Sequence, residues 1–170
     1  MGLTRDEIIK VLAELGKRLA RQGIQGEMYL VGGAAMALAY DAVRVTRDVD
    51  AVFIPKNEVY RASRAMAEDF GLPETWLNDA VKGFLAGEDI ERIPVLEVPG
   101  LRVMAASPRY MLAMKCLAAR LEDESDIRHL VGFLGIETLE EVLALVESVY
   151  PERPIPARAR FLLEEMFDKQ

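Results

Sequence analysis

Cysteine is nearly missing from this chain. Cys116 stands alone, so no disulfide framework is possible within it, and the residue reads as a small apolar side chain of the core. Long apolar runs are missing too, and none approaches the roughly 18 to 20 residues needed to span a bilayer. The run Met1-Gly2-Leu3-Thr4-Arg5-Asp6 has no signal-peptide apolar stretch behind it, and Asp6 stands where a myristoylation signal wants Ser or Thr. These absences predict a cytoplasmic protein. Positive charge is not in excess: the net charge is −7, whereas a domain that grips nucleic acid along its length is usually basic. Any nucleic-acid contact is therefore local, and carboxylates gathered at a site need a cation to offset them. The one histidine, His129, has no evident ligand partner and reads as structural.

What is present is an ordinary globular composition. Apolar residues make up 51% and charged residues 29%, which excludes a disordered or fibrous chain. The length suits one domain, with an α/β core over 1–106 and a helical part over 107–170 packed on it. Thr4 and Glu7 form a capping box, followed by Ile8, Val11, Leu12, Leu15 and Leu19 at helical spacing. Met28 to Val31 reads as a buried strand broken by Gly32-Gly33, and Ala34 to Tyr40 as a helix. Val49 to Ile54 reads as a second strand. Helices are predicted from about Asn57 to Phe70 and from Trp76 to Leu85. Pro94 to Val98 and Leu101 to Met104 read as strands around the Pro99-Gly100 turn. Ser107-Pro108 starts a helix expected to run to about Leu121. Helices over Glu124 to Leu134, from Thr138 to Pro151 and over Pro156 to Phe167 follow. The pattern is that of a small mixed sheet flanked by helices, α/β (α+β mixed) in class.

The segment Arg44-Val45-Thr46-Arg47-Asp48-Val49-Asp50-Ala51-Val52-Phe53-Ile54 carries the strongest chemical signal. Alternate side chains of a strand share a face, so Asp48 and Asp50 point the same way. Two carboxylates that close repel each other unless a cation sits between them. Mg²⁺ or Mn²⁺ fits that need, because Mg²⁺ is typically held by one or two carboxylates plus substrate phosphates. A bare D-x-D is more often two solvated side chains, but Asp is depleted in strands and this pair leads straight into a buried run. Haloacid-dehalogenase-type phosphatases place the apolar strand before the pair, whereas here it follows. Sugar-nucleotide glycosyltransferases carry D-x-D on domains well above this length.

Upstream, Leu30-Val31-Gly32-Gly33 joins a strand to a helix start, where backbone N–H groups bind phosphate and glycine permits close approach. Alone the pair reads as a turn. The combination brings a phosphate cradle to a metal site. Val31-Gly32-Gly33 followed by Asp48-Val49-Asp50 resembles the signature of the nucleotidyltransferase superfamily. The fuller string, Arg44 and Thr46 before Asp48-Val49-Asp50, is similar to a bacterial branch with abortive-infection and toxin–antitoxin nucleotidyltransferases. Trp76-Leu77-Asn78-Asp79 is similar to a segment of an uncharacterised group of that branch. The resemblance runs from roughly Met28 to Leu130. It implies nucleotide or phosphate contacts for Gly32, Gly33, Arg44, Thr46 and Arg120. It also implies a third carboxylate on a later strand, for which Glu97 is the placed candidate.

Toxin-like relatives carry a Lys, an Arg and two Asp in the order of Lys115, Arg120, Asp123 and Asp126. The resemblance implies charge stabilisation on the phosphates by Lys115 and support from the others. Met114 and Cys116 flank Lys115, so its stem would lie on the core while its head reaches polar space near the Asp48/Asp50 pair. Asp126 would return to the same face if one helix ran through both. Arg153, Arg158 and Arg160 read as a solvated helix face rather than an RNA contact. Two functions stay open. One is a metal-dependent enzyme moving a nucleoside monophosphate from an NTP to an acceptor hydroxyl, on RNA or elsewhere. The other is a nucleotide-binding or regulatory protein with little turnover, paired with a small antitoxin-like protein.

Overall fold

Thr4 opens the first helix in the way its sequence predicts. Its backbone N–H donates to the Glu7 carboxylate at 2.8 Å, and its hydroxyl accepts the Glu7 N–H. The computed structural model describes residues 2–168. Helix α1 is Arg5–Arg21, and its apolar stripe Ile8, Val11, Leu12, Leu15 and Leu19 is buried. Burying one such side chain contributes about 2 kcal/mol. There follow β1 (Gly26–Leu30), α2 (Gly32–Ala35, continued by a π-helical turn Met36–Tyr40), β2 (Val49–Ile54) and α3 (Lys56–Ala67). Next come β3 (Leu77–Asn78), a 3₁₀ turn Ala80–Phe84, β4 (Ile93–Val98) and β5 (Leu101–Ala105).

The strands form one five-stranded mixed sheet in the order β3-β2-β1-β5-β4. β1 runs antiparallel to β2 and parallel to β5, β3 is parallel to β2, and β4 and β5 form a hairpin. The mixed α/β class expected from the sequence is the class observed. Period-two alternation sorts the two faces. Met28, Leu30, Ala51, Phe53, Leu101, Val103 and Ala105 are buried together, with α1 packed on β5 and α3 on β2. Tyr29, Asp50, Val52 and Met104 belong to the other face and are half-buried.

One helix is replaced by a strand. The stretch predicted as helical from Trp76 to Leu85 forms β3 and the 3₁₀ turn instead. Trp76 is fully buried and its indole N–H donates to the Ser63 carbonyl at 3.0 Å. Leu77 and Asn78 pair with Val49 and Asp50. Asn78, Asp79 and Gly83 are weak helix formers, so pairing with β2 outweighs local preference.

The chain divides into two compact units, Met1–Leu85 with Glu91–Ala106, and Ala86–Ile90 with Ser107–Gln170. The second unit is helical. It contains α4 (Pro108–Ala118), a 3₁₀ turn Leu121–Asp123, α5 (Glu124–Leu134), α6 (Leu139–Val149) and α7 (Ala157–Asp168). α4 packs against α5, α6 and α7. Ala86–Ile90 is clipped to the start of α4: the Asp89 carboxylate accepts the Ser107 N–H at 2.7 Å, and Tyr110 Oη donates to the Ala86 carbonyl at 2.9 Å. α4 ends earlier than the predicted Leu121, because Ala119 turns left-handed at φ 47°. Among the described residues, no helix is long and apolar enough to cross a membrane.

Candidate functional site

The first unit gathers the glycine pair and the carboxylate pair at one end of the sheet. β1 stops at Leu30, and the Val31 N–H donates to the Asp50 carbonyl at 3.0 Å. That bond holds the Gly32-Gly33 turn beside the start of β2. Gly32 adopts φ +62°, and a Cβ built on it would lie 3.0 Å from Asp50 Oδ2. A Cβ on Gly33 would lie 2.4 Å from Thr46 Oγ1. Both glycines are therefore demanded by neighbours, the first also by a backbone region that L side chains disfavour. Among the described residues, no side chain caps the helical turn that starts at Gly32.

The loop before β2 is tied down from two sides. Leu3 and Thr46 exchange backbone hydrogen bonds, at 2.6 Å from the Leu3 N–H and 3.0 Å from the Thr46 N–H. Thr46 Oγ1 donates to the Asp48 carbonyl at 3.0 Å. In this form Thr46 fixes the backbone of Asp48 while its side chain rests on Gly33. Arg44 is half-buried, with its backbone N–H bonded to the Asp41 carbonyl at 3.0 Å.

Asp48 and Asp50 are both half-buried. Asn78 adjoins both: its Nδ2 lies 3.5 Å from Asp48 Oδ2, and its backbone position in β3 is in register with Asp50. The sequence pattern places Asn78 in a helix and marks no role for it. The only local signal was its place in Trp76-Leu77-Asn78-Asp79. The next residue, Asp79, accepts from Tyr60 Oη at 2.6 Å and pairs with the Lys56 ammonium. Lys56 first, and Tyr60 second, hold the Asp79 carboxyl below its ordinary pKa.

Glu97, the candidate third carboxylate, is not brought to the pair. It is exposed on the edge strand β4 and bonded to Arg102 at 3.2 Å. The register runs from Glu97 through Arg102 and Glu27 to Ile54, the far end of β2. With about 3.3 Å per residue and about 4.8 Å per strand, Asp50 is on the order of 20 Å away. The reason is the Pro99-Gly100 turn, which leaves Glu97 close to the hairpin bend. β5, the neighbour of β1, carries Arg102 and Met104 on the face of Asp50 and no carboxylate. Among the described residues, no group of three His, Cys, Asp or Glu side chains is arranged to hold a metal ion. The pair fits a metal that takes its remaining ligands from phosphate and water, and the two glycines let the Asp50 and Thr46 side chains sit directly on the turn.

In the second unit Lys115 and Asp126 meet, though not by helical periodicity. α4 breaks at Ala119, and the chain re-enters helix at Glu124. The Lys115 ammonium lies 2.6 Å from Asp123 Oδ1 and 2.8 Å from Asp126 Oδ2, with all three side chains buried. Asp123 Oδ2 also accepts the Arg120 N–H at 3.3 Å. The Arg120 guanidinium is exposed, 3.8 Å from Glu122. His129, Arg153, Arg158 and Arg160 are exposed. Arg160 pairs with Glu164, and Arg153 lies over the Tyr150 ring.

Over residues 6–156 the chain matches, and thereby belongs to, a family described as nucleotidyltransferases of unknown function, DUF6036. Among solved structures it is similar to an antigenic nucleotidyltransferase-like protein from Paracoccidioides brasiliensis, at 16% identity and a TM-score of 0.49, with 96% of this chain and 95% of that one covered. No curated protein sequence matches it.

Proposed function

We propose that the first unit transfers a nucleoside monophosphate from an NTP to an acceptor hydroxyl and releases pyrophosphate. One observation carries the reading: Asp50 lies against Gly32, so a carboxylate pair and a glycine turn share one end of the sheet. Asp48 and Asp50 would hold Mg²⁺ or Mn²⁺, which would supply charge neutralisation on the triphosphate. The Gly32-Gly33 backbone would admit the phosphates closely. In the reaction the acceptor oxygen bonds to the α-phosphorus and the bond to the bridging oxygen breaks. Pyrophosphate leaves, and the hydroxyl proton passes to solvent. Thr46 and the Val31 backbone keep the two Asp residues in place, so little reorganisation accompanies the charge build-up. An RNA hydroxyl is the acceptor class suggested by toxin-like relatives. The net charge of −7 restricts that contact to a short stretch of RNA.

A second reading, nucleotide binding with little turnover, is favoured by the remoteness of Glu97. Calorimetric titration of ATP, GTP, CTP and UTP with Mg²⁺ tests the site, and release of pyrophosphate with labelled product separates the two readings. Wild type is expected to bind at least one NTP. Asp48→Asn with Asp50→Asn is expected to lose that binding at least about tenfold while keeping its fold. Equal binding by the double variant would refute the assignment.

A further inference from the structure

We propose that Asn78 is a positioning residue for Asp48: its carboxamide donates to one oxygen of that carboxylate and sets how the other is offered to a divalent cation. This rests on the reading of Asp48 and Asp50 given above. A carboxamide has one accepting end and one donating end. The accepting end is occupied, because Asn78 Oδ1 takes the Ala80 N–H at 3.2 Å. That bond fixes the amide orientation and leaves Nδ2 facing Asp48 Oδ2 at 3.5 Å.

The residues around Asn78 are all held. Trp76 is anchored through its indole to the Ser63 carbonyl, and its own carbonyl accepts the Val49 N–H at 2.7 Å. Leu77 is buried in register with Val49. Asp79 is bonded to Lys56 and Tyr60, and its N–H donates to Tyr60 Oη at 3.2 Å. A segment secured at three neighbouring residues thus presents one side chain to Asp48. Asn supplies an N–H donor without net charge. It can steady Asp48 without competing with a cation for the site, as a Lys or Arg would. Hydrogen bonds to metal-ligating carboxylates act in this way at many metal sites.

The test measures Mn²⁺ binding to the full chain in the presence of a non-hydrolysable NTP, followed by electron paramagnetic resonance. The samples are wild type, Asp48→Asn, Asn78→Ser and Asn78→Ala, each with its melting temperature. Serine keeps an oxygen that can accept the Ala80 N–H but falls short of Asp48. Asn78→Ser is expected to melt like wild type and to bind Mn²⁺ at least about tenfold more weakly, with a changed Mn²⁺ spectrum. Asn78→Ala is expected to match that loss of binding. Wild-type affinity and spectrum in Asn78→Ser would overturn the proposal, leaving Asn78 as a turn-forming residue only. Wild-type Mn²⁺ binding that is absent, or unchanged by Asp48→Asn, would instead overturn the reading of the carboxylate pair and this proposal with it.

Discussion

Replacing Lys115 by Met removes one cation from between two buried carboxylates. Lys115, Asp123 and Asp126 are 7%, 7% and 2% exposed, so water does little to screen the charge left behind. Met fills most of the volume of the lysine stem, which makes the change chiefly electrostatic. Removing one partner of a buried ion pair costs about 3–5 kcal/mol. Two features moderate the loss here. Asp123 keeps the Arg120 N–H, and Asp126 stands in the first turn of α5, where the helix dipole favours negative charge. The expected cost is therefore near the lower end, about 3 kcal/mol. At about 2–4 °C per kcal/mol for a chain of this size, the melting temperature should fall by about 10 °C. Thermal and urea unfolding followed by circular dichroism measures it. Adding Asp123→Asn and Asp126→Asn to Lys115→Met should restore most of the loss, because no net charge then remains buried. A Lys115→Met protein within about 0.5 kcal/mol of wild type would refute the reasoning. A triple variant no better than the single one would show that the loss is not electrostatic.

Gly32→Ala should cost about 1–2 kcal/mol for a left-handed backbone and should displace Asp50, weakening NTP binding in calorimetry. Unchanged affinity would mean that Asp50 does not serve the phosphates. Gly33→Val should push Thr46 off the Asp48 carbonyl and weaken NTP binding by a comparable factor, checked by the same titration alongside melting. Burial, and secondly the charge of Asp123, pushes the Cys116 thiol from 9.0 up to about 12. A thiol reagent at pH 8 should therefore label Cys116 only in the unfolded chain. The folded state holds this proton more tightly, so its contribution to stability is full below pH 9 and declines as pH rises from 9 to about 12. Denaturant unfolding across that range checks the sign, and rapid labelling of the native protein would contradict it.

Local sequence determined a good deal. The capping boxes at Thr4 and Thr138, the bounds of β2 and the span of α5 all follow from residues within a few positions of one another. Asp48, Asp50, Gly32 and Gly33 stood out for the same reason: spacing of two in a strand and a glycine pair after an apolar run are local patterns. Pairing between distant segments decided the rest. Asn78 acquires its place only when β3 docks beside β2, a register that no local propensity encodes. Glu97 sits in a plausible strand, but the hairpin turn sends it to the far edge, and only the strand order reveals the distance. Lys115 and Asp126 come together through a left-handed residue at Ala119, a break that helical periodicity hides. Periodicity reports which face a side chain takes, whereas strand order and chain reversals set which faces meet, and those depend on packing energy summed over the whole unit.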